Sequence, residues 1–484
     1  MLELLILLAG LVVPPDSLAP ARTALDSIAA DHAVARAMSS APVASGRDSA
    51  SSSGPPAPRD SLSGVAPVAR PGSSEAGAGP DVHGGIDADS LAPVAAGVLR
   101  PSASPGPLLD YLWVLRAAIR SREGALRVVE RAHAMGVRGL LVQVVSRGDA
   151  FYRSDILPRA ESLPDSSYDP LGELLPLARA AGLEVHAWMN CAVVWSGPNP
   201  PRSRRHVLNA HPAWVVRVPG GRPMTALGAD ARRRLNLEGI FLSPAHRGMR
   251  TWIASIAGEI AAHYPVDGIH LDYIREPGVS LASDPLMRAG FVWRTGIDPE
   301  RIAELPQARR AWADSAWIEW QAEQVTAIVR EVRDSLDRAR PGLMLSAAVL
   351  PDTADARRNH AQAWTEWVRG GLIDRAFVMC YAPVVRTVRD AMLGYASELG
   401  TDGRVVPGIA VYNSPPAHAA AKIKAATALG YPMLALYSYD SLYARNGYWA
   451  ALQKELAPGH AGASGVVGPR VPAGRRTGGT WTRR

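Results

Sequence analysis

The chain of 484 residues contains only two cysteines, Cys191 and Cys380. So few exclude a disulfide-rich scaffold and a cysteine-based zinc site. Both lie at the ends of predicted strands far apart in sequence, and two free thiols are expected. No basic helix with interleaved aromatics occurs, and the net charge of +7 is spread thinly. The tail after Pro458 has no acid and supplies +5 through Arg470, Arg475, Arg476, Arg483 and Arg484. Residues 1–107 carry six Arg and ten acids, a balance of −4, which leaves the body near +6. That is a mild bias toward anionic partners, too diffuse for a reader of nucleic acid.

Long apolar runs are missing too. The longest feature of this kind, Met1–Val13, suits the apolar region of a signal peptide and is too short to span a bilayer as a helix. Glu3 stands where a lysine or arginine is usual, and Ala19-Pro20-Ala21 offers small residues for cleavage. Residues 1–21 are expected to be a signal peptide or N-terminal anchor, which places the protein outside the cytoplasm or in the cell envelope. With no cysteine before Cys191, lipid attachment is not expected there. Residues 22–107 lack aromatics and are rich in Ala, Ser, Pro and Gly. Such a segment buries too little surface to offset its ordering entropy, so a disordered linker is expected. The basic tail 459–484 is read the same way.

What is present lies between Leu108 and Pro458. Short apolar, β-rich runs recur at Tyr111–Leu115, Gly139–Val145, Leu183–Asn190, Val266–Asp272, Leu343–Val349, Arg375–Tyr381, Val405–Tyr412 and Met433–Tyr439. Amphipathic stretches separate them, at Arg122–Met135, Pro170–Ala181, Arg247–His263, Arg310–Ala339, Ala361–Gly370, Val385–Leu399, Ala417–Leu429 and Ser441–Leu456. Eight strands, each followed by a helix, predict an α/β fold, a (β/α)8 TIM barrel over 108–458. The absence of a Gly-rich loop after the first strand argues against a doubly wound nucleotide-binding sheet. Two loops at the C-terminal rim are long, Cys191–His246 and Tyr273–Arg309, as in barrels that shape a substrate cleft.

The most informative stretch is Val266–Arg275, reading VDGIHLDYIR. Period-2 alternation puts Gly268, His270 and Asp272 on one face, with the acid at the strand's end. Strand three ends in His186-Ala187-Trp188-Met189-Asn190, again with three side chains on one face. A Trp beside polar groups at a barrel mouth suits a sugar ring, whose C–H face packs on indole. Arg147 and Asp149 follow strand two. Tyr381, Tyr412, Asn413 and Asp440 end strands six to eight. Hydrolysis of a glycosidic bond needs a general acid and a second carboxylate. Asp272 is the strongest candidate for one of them, and Asp149, Glu276, Asp352 and Asp440 compete to be the other. Strand seven ends in Tyr412-Asn413 and not in Glu, which leaves open a substrate-assisted mechanism where a sugar N-acetyl group is the nucleophile and one acid suffices.

The combination of GLLVQVVSRGDAFY at 139–152, GLEVHAWMN at 182–190, His211-Pro212-Ala213-Trp214, Leu235-Asn236-Leu237 and VDGIHLDYIR at 266–275 resembles the bacterial glycosyl hydrolase-like family 10, also labelled domain of unknown function 187. The resemblance covers roughly Leu108–Leu456. It implies an exported (β/α)8 barrel that cleaves peptidoglycan glycan strands, including strands stripped of their peptides. It also implies Asp272 as the central acid, with Arg147, Asp149, Asn190, Tyr273 and Arg275 around it. Where relatives carry a second acidic or aromatic pattern, this chain reads Tyr-Ile-Arg-Glu-Pro after Asp272. The expected site is therefore Asp272, Glu276 and Asp149 for catalysis. Arg147, His186, Trp188, Asn190, His270, Tyr273, Arg275, Tyr381, Tyr412, Asn413 and Asp440 would bind a polysaccharide, with no cofactor and no metal. Two rivals stand beside it: a metal-dependent hydrolase using His186, His270 and Asp272, and a barrel that binds glycan without turnover.

Overall fold

The computed structural model describes residues 109–457, apart from 164–166, 198, 279–280 and 282. The expected signal segment, linker and basic tail lie outside the described residues. Among the described residues there are ten strands: β1 Tyr111–Val114, β2 Gly139–Val145, β3 Glu184–Asn190, β4 Val193–Trp195, β5 Ile240–Phe241, β6 Gly268–Asp272, β7 Met344–Val349, β8 Arg375–Cys380, β9 Val405–Ala410 and β10 Ala435–Tyr437. Eight of them close a parallel barrel in the order β1, β2, β3, β6, β7, β8, β9, β10, and back to β1. The (β/α)8 reading is thus correct, strand for strand.

The eight strands are buried and apolar because each is covered on both sides. Their outward faces meet the helices in one large core that includes Val142, Ile269, Leu345, Val378 and Ile409. Their inward faces fill the barrel with Tyr111, Trp113, Leu141, Trp188, Phe377 and Val406. Two glycines make room for this filling. A Cβ at Gly268 would lie 2.3 Å from His186 Nδ1, and one at Gly408 would lie 2.6 Å from Trp113 Cη2. Helices start on carboxylate and hydroxyl caps, as at Ser121, Asp169 and Asp284.

Several features differ from the sequence reading. The stretch Ser441–Leu456 is two helices, Tyr439–Ala444 and Tyr448–Leu456, parted at Gly447, whose φ of 71° ends regular helix. The loop after β3 is not irregular throughout. It carries the antiparallel ribbon β4–β5, whose short strands are too brief to leave a periodic signal. The loop after β6 carries a further helix, Pro285–Thr295, before the 33-residue helix Gln307–Ala339. Both cysteines are free and buried. Among the described residues no helix is long and apolar enough to cross a membrane.

Candidate active site

The register of β3 against β6 sets the floor of the site. Asn190 pairs with Asp272, Trp188 with His270, and His186 with Gly268. Asp272 stands at the C-terminal end of β6 and is 8% exposed. Its carboxylate is held from two sides: Trp188 Nε1 donates to Oδ2 at 3.1 Å, and the backbone N–H of Tyr273 donates to Oδ1 at 2.7 Å. Tyr273 adopts a φ of 49°, an uncommon conformation for a bulky residue, and its N–H turns back onto the acid. Burial pushes the Asp272 carboxyl up to about 6, with Glu238 adding to the rise. The Tyr273 N–H, Arg275 and Trp188 oppose it. A carboxylic acid that keeps its proton toward neutral pH, at the end of a barrel strand, can protonate a leaving group.

Asp272 lines a cleft of about 180 Å³ with Trp188, Asn190, Tyr273, Tyr437 and Glu238 among its walls. Asn190 is fixed by a short relay. Arg116 Nη1 donates to Gln143 Oε1 at 2.8 Å, Gln143 Nε2 to Asn190 Oδ1 at 3.3 Å, and Asn190 Nδ2 to the Ser146 carbonyl at 3.0 Å. Tyr437 of the cleft lining belongs to an aromatic cluster. Tyr437 packs against Tyr381 at 5.0 Å, Tyr412 at 6.1 Å and Trp188 at 6.4 Å between ring centroids. Burial raises the Tyr381 hydroxyl well above its ordinary value and Tyr437 to about 12, so both stay neutral donors near the acid. Asn413 donates to the Tyr381 carbonyl at 2.7 Å and fixes that loop, while Tyr412 is half exposed.

Beyond Leu115 and Arg116 the cleft opens into a groove of about 800 Å³. Arg116, Arg120, Arg147 and Arg202 line it, with Asp149, Glu161 and Trp195. Arg202 is paired with Glu161. Arg147 lies 5.9 Å from the Trp195 ring, and its buried Nε has no hydrogen-bond partner among the described residues. Asp149 accepts from the Arg147 N–H at 3.1 Å, and burial raises its carboxyl against the pull of that bond and of Arg116. Asp149 therefore belongs to the groove and is absent from the walls of the acid cleft.

Other expected residues lie elsewhere. Glu276 is buried outside both cavities, accepting from Gln321 Nε2 of the long helix at 2.9 Å. Its carboxyl is pushed up to about 8 by burial, reinforced by Asp284. Asp352 caps the helix Thr353–His360, accepting from the Asp355 N–H. Asp440 accepts from the Leu115 N–H at 3.0 Å and ties the end of β1 to the helix after β10. His186 and His270 sit in the barrel interior and line neither cavity. His270 accepts from Trp113 Nε1 at 3.1 Å, so its Nδ1–H faces Ser346 Oγ at 3.0 Å as a donor. That tautomer leaves His270 no lone pair for a metal ion. Among the described residues no three His, Cys, Asp or Glu side chains cluster to hold one.

Sequence reasoning missed Glu238, Arg116, Gln143 and Tyr437 as site residues. Tyr437 was visible at a strand end. Glu238 lies in the middle of a long loop, and only the β4–β5 pairing brings it to the cleft.

Fold and site together define a (β/α)8 barrel with a buried acid in a cleft at its C-terminal rim. The chain belongs to the glycosyl hydrolase-like 10 family, whose sequence pattern matches residues 114–402. It is 24% identical over 321 residues to glycosyl hydrolase DigH of Escherichia coli strain K12, an alignment covering 59% of this chain and 64% of that protein. It is 22% identical over 294 residues to glycosyl hydrolase YngK of Bacillus subtilis, covering 55% of this chain and 51% of the relative. The chain thus spans less than two thirds of the length of either relative. The barrel is similar to the PgaB (BpsB) glycoside hydrolase domain from Bordetella bronchiseptica, with a TM-score of 0.53 and 16% identity over 73% of this chain and 99% of that one.

Proposed function

We propose that the protein is an exported glycoside hydrolase that cuts peptidoglycan glycan strands, with Asp272 as general acid. The observation that carries this reading is the state of Asp272. It is buried at a barrel strand end, oriented by Trp188 and the Tyr273 N–H, and held near 6. Family membership supports the reaction class.

The adjoining groove supports the substrate. A glycan stripped of its peptides bears free lactyl carboxylates, and Arg116, Arg120 and Arg147 present guanidinium groups where such a chain would lie. Trp188, Tyr273 and Tyr437 of the cleft lining offer aromatic surface to a sugar's C–H face. Export rests on the apolar segment Met1–Val13 and the linker composition.

Mass spectrometry of peptide-free glycan strands after incubation with wild type and with Asp272→Asn tests the reading. Shortened strands from wild type alone are expected, and the new reducing ends identify the bond. Intact strands with both proteins would withdraw this substrate. Binding without turnover, unchanged by Asp272→Asn, would instead mean a glycan-binding barrel.

A further inference from the structure

Where the substrate's own N-acetyl group is not the nucleophile, an acid that protonates the leaving group works with a second carboxylate on the attacking side. The four acids that compete from the sequence are all engaged outside the acid cleft. Asp149 belongs to the arginine groove, Glu276 is buried under the long helix, and Asp352 and Asp440 hold backbone N–H groups. Among the residues lining the 180 Å³ cleft, Glu238 is the one carboxylate besides Asp272.

We propose that Glu238 is that second carboxylate, the general base that activates water opposite the Asp272 acid. The inference rests on the glycosidase reading above. Three observations place Glu238 for the role. First, the ribbon that carries it is bonded to the end of β6. Cys191 N–H donates to the Asp272 carbonyl at 2.8 Å, Ala192 N–H to the Tyr273 carbonyl at 3.1 Å, and Leu242 N–H to the Ala192 carbonyl at 2.9 Å. Second, Gly239 lets the ribbon close. A Cβ there would lie 2.5 Å from the Trp195 carbonyl oxygen. Third, Arg275 fixes the carboxylate. One of its Nη groups reaches both Glu238 oxygens, at 2.8 and 2.9 Å.

Arg275 is 6% exposed and stacked near the Phe241 and Tyr273 rings, so it is a buried cation that requires an anion. The Glu238 side chain itself is 45% exposed, which leaves it open to water. The charged and titratable groups facing Asp272 are Glu238, Arg275, Tyr273, Tyr381, Tyr437 and Cys191. Glu238 is the one acid in that set, and its charge helps keep the proton on Asp272.

As a general base Glu238 would act in a single displacement, whose signature is inversion at the anomeric carbon. Asp272 gives its proton to the glycosidic oxygen as the bond to the anomeric carbon breaks. Glu238 takes a proton from the water whose oxygen bonds to that carbon. One water is consumed, and the two carboxyls exchange protonation states before solvent resets them. Arg275 is a positioning residue that holds the base and touches no reacting atom.

Glu238→Gln and Glu238→Ala decide the proposal on two independent readouts. Carboxyl carbon NMR follows Asp272 without substrate. Glu238→Gln removes the neighbouring negative charge, so the Asp272 titration is expected to move to lower pH. Initial rates on peptide-free glycan strands are expected to fall about 100- to 10,000-fold in both variants, with loss of the acidic limb of the pH profile. Azide is expected to restore turnover of Glu238→Ala and to yield a glycosyl azide of inverted configuration. A merely structural residue would show neither the lost limb nor the azide product. Rates within threefold of wild type would overturn the proposal. If wild type leaves these strands intact, the substrate reading fails, and the titration still decides the pairing. An Asp272 titration unmoved by Glu238→Gln would then overturn it.

Discussion

At the scale of single residues, the behaviour of Asp272 is a balance of opposed effects. Burial raises its carboxyl, and donors lower it by favouring the charged form. The Trp188 indole N–H is one of those donors. Trp188→Phe removes it and keeps an aromatic wall, so the carboxylate loses stabilisation and its titration moves above about 6. The basic limb of kcat/KM, which reports loss of the acid's proton, is expected to shift to higher pH. A pH–rate profile of the variant checks this, and a downward shift would contradict the assigned bond. The position of Asp272 at a strand end was legible because a short β-rich run ended in a carboxylate, and the structure places it in the cleft. The roles of His186 and His270 were misjudged because period-2 alternation gives the face of a strand and not the depth. Both point inward as expected, yet they lie in layers below the rim.

At the scale of elements, strand positions were legible because eight buried strands each leave an uninterrupted apolar run. The ribbon β4–β5 was not. Its strands have three and two residues and pair across a long insertion, which no local pattern encodes. Glu238 was invisible for the same reason. The long helix Gln307–Ala339 explains Glu276, the other acid that sequence proximity favoured. That helix supplies Gln321 and seals the carboxyl from water. The Glu276 carboxyl is held near 8, against 4.5 for the ordinary group. Its folded value lies above its unfolded value, so no cost is present below about pH 4.5 and the full cost above about pH 8. Glu276→Gln keeps the acceptor for Gln321 without the charge. It is expected to stabilise the fold at pH 9 by an order of about 5 kcal/mol, and hardly at pH 4. Urea unfolding at the two pH values measures the difference, and equal gains at both would refute the assignment.

At the scale of the whole molecule, a net charge of +7 gives little hint of where cations gather. Folding concentrates Arg116, Arg120 and Arg147 along one groove, from the loops after β1 and β2. Burial, followed by the repulsion of Arg147, makes the Arg116 guanidinium easier to deprotonate than usual. A carboxylate arriving there relieves that repulsion. Asp272→Asn is expected to bind peptide-free glycan strands more tightly than the same strands with their carboxylates reduced to alcohols. Rising salt should erase the difference. Arg147→Gln should weaken binding of the carboxylated strands about tenfold and leave the reduced strands unaffected. Calorimetry on the two glycans measures both, and equal affinities would remove the groove from substrate recognition.

The groove adjoins the acid cleft through Leu115 and Arg116, so room and cationic charge join the small cleft on the side of those two residues. A strand cut at Asp272 would then leave two fragments with unequal holds. The piece in the groove would keep its grip while the other departs, and the retained end could slide forward for the next cut. Short sugars would accumulate early in a digest, while the parent strands shorten from one end.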